Sequence, residues 1–314
     1  MNVMSALSLR TTEAAARGRR RLALVASNAG ATPPKNRYRE SLHRDGYVAI
    51  AAAGLGSPAM VARAHRGLHD LAADLPADPY CRGGHRYRRY ARMFLLPWSD
   101  TLVTAPLEWS ADRRHPVFTY QQPAALNSEE EGTARQFPAM PQSVLSSDWM
   151  EHIIRFDFVQ LRFSAQEMSA PIQIGVHVVE MRPSHGVEAV ASPNRVHRDG
   201  EHYTCAHLIS REGIVGGEHY TCAHLISREG IVGGENHIVD PQWADNEIAD
   251  VPRSAIRSAF VLENALDGYI VRDDRVAHHV AGVRLAEGSN AGARKILLID
   301  FTPMQPYGLM KPAA

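Results

Sequence analysis

The stretch SPNRVHRDGEHYTCAHLISREGIVGGEHYTCAHLISREGIVGGENHIVD (Ser192–Asp240) decides how the rest of this 314-residue chain is read. It opens with His197 and Asp199 two positions apart. It then writes one seventeen-residue segment twice, Gly200–Gly216 recurring letter for letter as Gly217–Gly233. On an extended segment, residues at i and i+2 point to the same side. This imidazole and this carboxylate can therefore grip one metal ion from adjacent corners.

The letters alone are weak, because His43-Arg44-Asp45-Gly46 spells the same HRDG. Context separates the two. The first closes a short helical pattern and precedes an Ala-rich strand. The second enters a half of the chain rich in strand patterns, with candidate partners downstream. His278 and His279 stand in DDRVAHHVAGV just after a turn, and sixteen residues past His278 comes Arg294, opening ARKILLIDF. A second histidine from such a distant strand would complete a two-histidine, one-carboxylate facial set. That set leaves coordination positions open, as a non-haem Fe(II) oxygenase requires, without forbidding other divalent metals. An arginine at a strand start near the metal can hold a carboxylate through two parallel hydrogen bonds.

Working outward, Lys+Arg 34 balances Asp+Glu 34, so no global field draws the chain to nucleic acid or a membrane surface. Hydrophobic content of 45% and charged content of 22% are those of an ordinary globular protein. The cysteines are Cys81, Cys205 and Cys222, the last two being one residue in two copies, and no CxxC or disulfide ladder appears. A reducing cytoplasm is the expected compartment. No apolar run reaches the roughly 18–20 residues that span a bilayer. Residues 1–37 read as a flexible tail. Arg19-Arg20-Arg21 before LALVASNAGA has the order of an export signal, but the apolar part is short and interrupted by Ser27 and Asn28.

Residues 38–310 read as one domain. SLHRDGYVAI predicts a helix, a turn at Asp45-Gly46 and a strand. Ser57-Pro58 predicts a helix start, with Val61, Ala64, Leu68, Leu71 and Leu75 on one face and Pro76 as the stop. His65 and His69 share i, i+4 spacing there, but solvated positions beside Arg63 and Arg66 are the plainer reading. GGHRYRRYARMFLLPW predicts a twisted or bulged strand, whose Arg86–Arg92 cluster reads first as a solvated face and second as an anion site. A helix capped by Ser147 or Asp148 is expected through Phe158, burying Trp149, Ile153 and Ile154. FVQLRF and PIQIGVHVVEM then read as strands, and SEEEGT before them as a surface loop. From about Phe156 onward, short β-runs with frequent turns indicate a sandwich or jelly roll rather than alternating βαβ units.

VHRDGEHYTCAHLISREGIVGGENHIVD, with one copy of the repeat removed, resembles the bacterial 2-oxoglutarate/Fe(II)-dependent dioxygenases that hydroxylate free amino acids, the L-isoleucine 4-hydroxylase group. The likeness lies in the HxDG opening, the HLI-x-RE run, the GGE turn and a closing apolar-Asp. DDRVAHHV resembles the distal-histidine segment and RKILLIDF the terminal strand; GYVAI and TYQQP fit more loosely. The resemblance implies an α+β, mainly β chain: a double-stranded β-helix (jelly roll) core with flanking N-terminal helices. It implies Fe(II) held by His197, Asp199 and His278, because the family's pattern is a single histidine between two valines at alternating positions, here Val276, His278 and Val280; His279 would then face away. It implies 2-oxoglutarate held through its distal carboxylate by Arg294, with Arg284 the weaker candidate. The small-molecule substrate would be a free amino acid hydroxylated at an unactivated C–H with O2, releasing succinate and CO2. Arg135, Arg162 and the Arg86–Arg92 cluster are candidates for its carboxylate. A related oxygenase that desaturates, or a jelly-roll binding protein made inactive by the duplication, are the alternatives.

Nineteen residues match at an offset of seventeen, divergence beginning at His219 against Asn236. Such identity marks a recent or engineered tandem insertion rather than an old solenoid. Each copy is joined as the family pattern requires on one side only. Copy one can supply the strand after Asp199 with copy two looped out. Copy two can supply it, leaving copy one beside the ligands. Both can pair as an added hairpin. The first is favoured: it leaves the ligands in place, and loop-closure cost grows slowly with length. The duplicated histidines, His202/His219 and His207/His224, read as strand positions rather than a chelating cluster.

Overall fold

The first HRDG ends a helix. In the computed structural model, which describes residues 36–122, 132–191, 194–212, 214–215, 235–260, 262 and 264–304, the chain opens with α1 (Asn36–Asp45). Gly46 follows at φ 84°, where a side chain would meet Arg275 and Val276. This left-handed turn, which glycine adopts without penalty, releases the chain into β1 (Tyr47–Ile50). A short α2 (Ala52–Leu55) leads to α3 (Pro58–Leu71), where the Ser57 hydroxyl accepts the Met60 N–H at 3.3 Å and Pro58 takes the first turn. Ala64, Leu68 and Leu71 are buried as the spacing predicts. The helix stops at Leu71 rather than at Pro76, Ala72 closing it with an N–H bond to the Leu68 carbonyl, although Leu75 stays buried. His65 and His69 belong to no metal-type cluster among the described residues.

The strands between these helices and the next are β2 (Arg86–Leu96), β3 (Thr101–Thr104), β4 (Glu108–Trp109), β5 (Pro116–Tyr120) and β6 (Arg135–Pro138). The SEEEGT loop lies mostly outside the described residues. After α4 (Gln142–Leu145), α5 (Asp148–Gln160) begins at Ser147, whose hydroxyl accepts the Met150 N–H. FVQLRF is not a strand. α5 runs through Gln160 because Met150, Ile153, Ile154, Asp157 and Gln160 are buried at helical spacing. A short apolar run of this kind carries no period that separates the two readings.

The remaining strands are β7 (Ile172–Met181), β8 (Tyr203–Glu212), β9 (Ile214–Val215), β10 (Asn236–Val239), β11 (Ile256–Phe260), β12 (Gly268–Arg272), β13 (Ala277–Val280), β14 (Arg284–Leu285) and β15 (Ala293–Pro303). Seven strands form an antiparallel sheet in the order β1-β12-β8-β15-β7-β2-β3. A smaller sheet, β11-β10-β13, faces it. Val179, Ile296, Tyr269 and Val271 of the large sheet pack with Ile238 and Phe260 of the small one. This is the jelly-roll core expected, with the helices on the outer face of the large sheet.

Burial on both faces explains why the central strands lose alternation. On β15, Leu297, Ile299 and Phe301 enter the helix-side core, while Arg294, Ile296, Leu298 and Asp300 turn to the interior between the sheets. On β7, Ile174, Val176 and Val178 face the helices, and His177, Val179 and Met181 the interior. β2 pairs with β7 in unbroken register from Arg86↔Met181 to Leu95↔Ile172, so the expected bulge is absent. What shifts along β2 is the covered face: Arg86, Arg88 and Tyr90 are buried at one end, Ala91, Met93 and Leu95 at the other. Arg86 and Arg88 are therefore not a solvated face.

Copy one of the repeat supplies β8, paired with β12 on one side and β15 on the other, with one extra residue at Ile209. His207 is fully buried, its Nε2 2.5 Å from Asp157 Oδ2 of α5, and His202 pairs with Glu167 at 3.2 Å. Copy two, and with it His219 and His224, lies outside the described residues. Deleting Gly217–Gly233 is expected to leave the β-rich circular dichroism and the melting temperature undiminished, since β8 already has both neighbours; loss of cooperative unfolding in that variant would show that copy two supplies part of the sheet.

Candidate metal centre and its cavity

Val196 is fixed to the 243–246 turn, its N–H bonding the Asn246 carbonyl at 3.0 Å and its carbonyl accepting the Asp245 N–H at 2.7 Å. The next residue forms an antiparallel bridge with β13. His197 N–H bonds the His278 carbonyl at 2.8 Å, and His278 N–H bonds the His197 carbonyl at 2.9 Å. Residues directly opposite in such a pair project to one face, so two histidines eighty-one positions apart bring their ring centroids to 4.3 Å. His279, one step on, faces away and stacks on His237.

Asp199 is placed by its own backbone. Its N–H and that of Gly200 bond the two carboxylate oxygens of Asp273 at 3.0 and 2.7 Å, and Gln122 Nε2 donates to its carbonyl at 3.2 Å. Gly200 sits at φ 84°, the value found at Gly46. The two HRDG segments thus share a local turn and differ in surroundings. In the first, Arg44 pairs with Asp45 in solvent and His43 lies against Tyr203.

His197 Nε2 is 3.6 Å from Asp199 Oδ1 and His278 Nε2 is 3.5 Å from Asp199 Oδ2. One ligand atom from each residue lies within 4.8 Å of the others. His197 Nδ1 is 2.8 Å from the Arg195 carbonyl. Donation to that carbonyl leaves the Nε2 lone pair for a metal, the usual arrangement behind a ligating imidazole. Burial opposes the charge of Asp199, but the His278 and His197 imidazoles outweigh it and hold its pKa below the carboxylate range. Burial lowers His197 too, yet hydrogen bonding and charge from Asp199 raise it on balance. Burial, then His197, lowers His278 to about 4. Two imidazole nitrogens and a carboxylate converge on one point of the cavity wall; a divalent cation fits this donor set.

The triad opens on a cavity between the sheets that also takes in Arg294, Arg135, Arg86 and Arg88. Arg294 is buried on β15 opposite Met181. Arg135 is buried on β6, its Nη2 donating to Gln122 Oε1 at 2.9 Å and its guanidinium lying over the Tyr120 ring. Arg284 stands apart: 67% of its side chain is exposed, beside Glu188. Arg162 is exposed and bonds Tyr203 through its backbone, away from the cavity. The cavity also holds His177 and Asp300, which the sequence reading passed over. Their signal was an ionisable residue inside an otherwise apolar strand, VHV and LID. Asp273 was read only as a turn residue.

The sequence model described as 2OG-Fe dioxygenase matches residues 69–220 and 217–300. The two segments meet where copy one gives way to copy two. No curated protein sequence matches the chain. Among solved structures, IDO from Bacillus thuringiensis is similar at 19% identity and TM-score 0.60, over 87% of this chain and 100% of that one. A bsmA homolog from Methylobium petroleophilum PM1 is similar at 18% identity and TM-score 0.64, over 90% and 98%. The Fe(II)/α-ketoglutarate-dependent dioxygenase TqaL is similar at 10% identity and TM-score 0.62, over 88% and 90%. At these identities the structures speak for the fold alone. Matched across most of its length by the family and carrying two histidines and an aspartate on one buried point, the chain belongs to the 2OG-Fe dioxygenases, enzymes that use Fe(II) and 2-oxoglutarate.

Proposed function

We propose that this enzyme hydroxylates an unactivated C–H of a free L-amino acid or a similar small zwitterion. His197 Nε2, Asp199 and His278 Nε2 would hold the iron, and Arg294 the distal carboxylate of 2-oxoglutarate. Bound there, the iron and 2-oxoglutarate supply oxygen activation: O2 is consumed, one oxygen atom enters succinate as CO2 leaves, and the other enters the substrate. The chain's own contribution is positional. The His197–His278 bridge and the Asp273 carboxylate fix the ligands, and the apolar Val179, Val271, Val280 and Ile296 exclude water from the reacting bond.

The observation that carries the substrate reading is that four buried arginines, Arg86, Arg88, Arg135 and Arg294, line one cavity with the triad. Arg86 is held by Asp78 at 2.6 Å. Arg88 and Arg135 would turn further N–H groups to a second carboxylate besides that of 2-oxoglutarate. Succinate release from 2-oxoglutarate, screened with Fe(II) and ascorbate over the common L-amino acids, tests it; turnover only with non-amino-acid substrates would refute it.

His197→Ala or Asp199→Ala should abolish turnover and metal retention, whereas His43→Ala and Asp45→Ala should do neither; metal content after gel filtration and succinate release read both. Arg294→Ala should raise the KM for 2-oxoglutarate by roughly 10–100-fold, the worth of a charge-assisted hydrogen-bonded pair. The same change at Arg284 should leave that KM unmoved. The metal binds His197 only when its proton is gone, and Asp199 raises that proton's pKa. Mn(II) affinity should therefore fall as pH drops through the raised pKa, by up to ~10-fold per pH unit; equilibrium dialysis between pH 5 and 8 measures it.

A further inference from the structure

One wall of the cavity carries a chain of buried polar side chains that the metal centre does not use. Asp78 accepts from Arg86 Nε at 2.6 Å and lies 3.9 Å from Arg88 Nη1. Arg88 Nη2 is 2.5 Å from His177 Nδ1, and His177 Nε2 is 3.2 Å from Asp300 Oδ2. A guanidinium only donates, so His177 Nδ1 accepts and Nε2 carries the proton given to Asp300. Asp300 Oδ1 takes the Gly175 N–H at 2.8 Å. Tyr90 stacks on His177 at 4.3 Å and Tyr120 meets it edge-on at 4.9 Å, so the imidazole has one orientation. A cation and an anion are thereby held on opposite edges of a single neutral ring, both lining the cavity.

A merely structural bond does not explain this arrangement. A carboxylate inside a sheet is costly; its two oxygens take one N–H each, from Gly175 and His177, and its negative charge is left on the cavity wall. The strand opposite gives way for it, since a Cβ at Gly175 would collide with both Asp300 oxygens. Burial first, and then the charge of Asp199, push the Asp300 carboxyl up to about 7 against the Gly175 hydrogen bond, which marks an anion short of positive charge. The charges of Arg88 and Arg92 offset this only in part, Arg92 Nη2 donating to the Thr119 carbonyl rather than to Asp300. At the other edge of His177, the buried Arg88 Nε has no hydrogen-bond partner among the described residues.

We propose that Asp300, held by His177 and the Gly175 amide, anchors the ammonium group of the substrate, with Arg88 across the same imidazole receiving its carboxylate. This rests on the amino-acid reading above and adds the residue that makes the amine a requirement. It also sorts the two organic ligands. β15 presents Arg294 and Asp300 on one face, six residues or roughly 20 Å apart along the strand. 2-Oxoglutarate, a dianion without an amine, is drawn to the Arg294 end and repelled from the Asp300 end.

The test pairs the L-amino acid selected by the succinate-release screen with the 2-hydroxy acid of the same side chain. Both are titrated calorimetrically into protein loaded with Mn(II) and 2-oxoglutarate. Wild type should bind the amino acid roughly 10–100-fold more tightly. Asp300→Asn, which removes the charge and keeps one acceptor oxygen in nearly the same volume, should bring that ratio close to one while the hydroxy acid and 2-oxoglutarate bind as before. Gly175→Ala, which displaces the carboxylate without removing it, should lower the ratio too. A ratio near one in wild type, or one that survives in Asp300→Asn, overturns the assignment while the hydroxylase reading stands. Should Asp300→Asn not fold, the wild-type and Gly175→Ala ratios decide. Absence of succinate release with every amino acid overturns the hydroxylase reading and the assignment together.

Discussion

Two backbone hydrogen bonds between His197 and His278 are the constraint on which the rest depends. They join a loop to the edge strand β13 of the small sheet and place two imidazoles on one face. Asp199 needs a second device, because the chain must turn at Gly200 to enter β8. The Asp273 carboxylate supplies it by taking the two successive N–H groups at that turn. The geometry of the triad therefore rests on main-chain bonds and one buried carboxylate, with the Arg195 carbonyl orienting the His197 ring.

The duplication falls next to this arrangement and leaves it intact. Copy one follows Asp199 directly and occupies β8, so the turn clamped by Asp273 leads without a break into a strand paired on both sides. The family match divides at 217–220, the boundary between the copies. A strand locked by two neighbours and by the buried His207–Asp157 pair is a poor candidate for replacement by a second copy of itself.

Much of the site was legible in the sequence, and the reasons are local. His278 rather than His279 came from the resemblance, whose single histidine stands between alternating valines, here Val276 and Val280, and the β13–β10 register has that same alternation. Arg294 stood at the head of a strand whose alternate residues turn to the interior. The residues misread depend on what lies across from them. Arg86 and Arg88 look like a solvated face until Asp78 and His177 are brought opposite, and Arg162 drops out because α5 continues into a stretch that alternates like a strand. His177 and Asp300 are meaningful only as a pair, which two strands 123 residues apart create. Helix ends and caps were readable from Ser57 and Ser147. The stop after α3 was not, since Leu75 is buried from the irregular segment that follows the helix rather than from the helix.

The most direct test of the account is anomalous diffraction at the iron edge from crystals grown with Fe(II) under exclusion of oxygen. The account predicts one peak bonded to His197 Nε2, Asp199 and His278 Nε2, with His279 turned away. Iron bound through His279, at the first HRDG, or at no fixed position would contradict it.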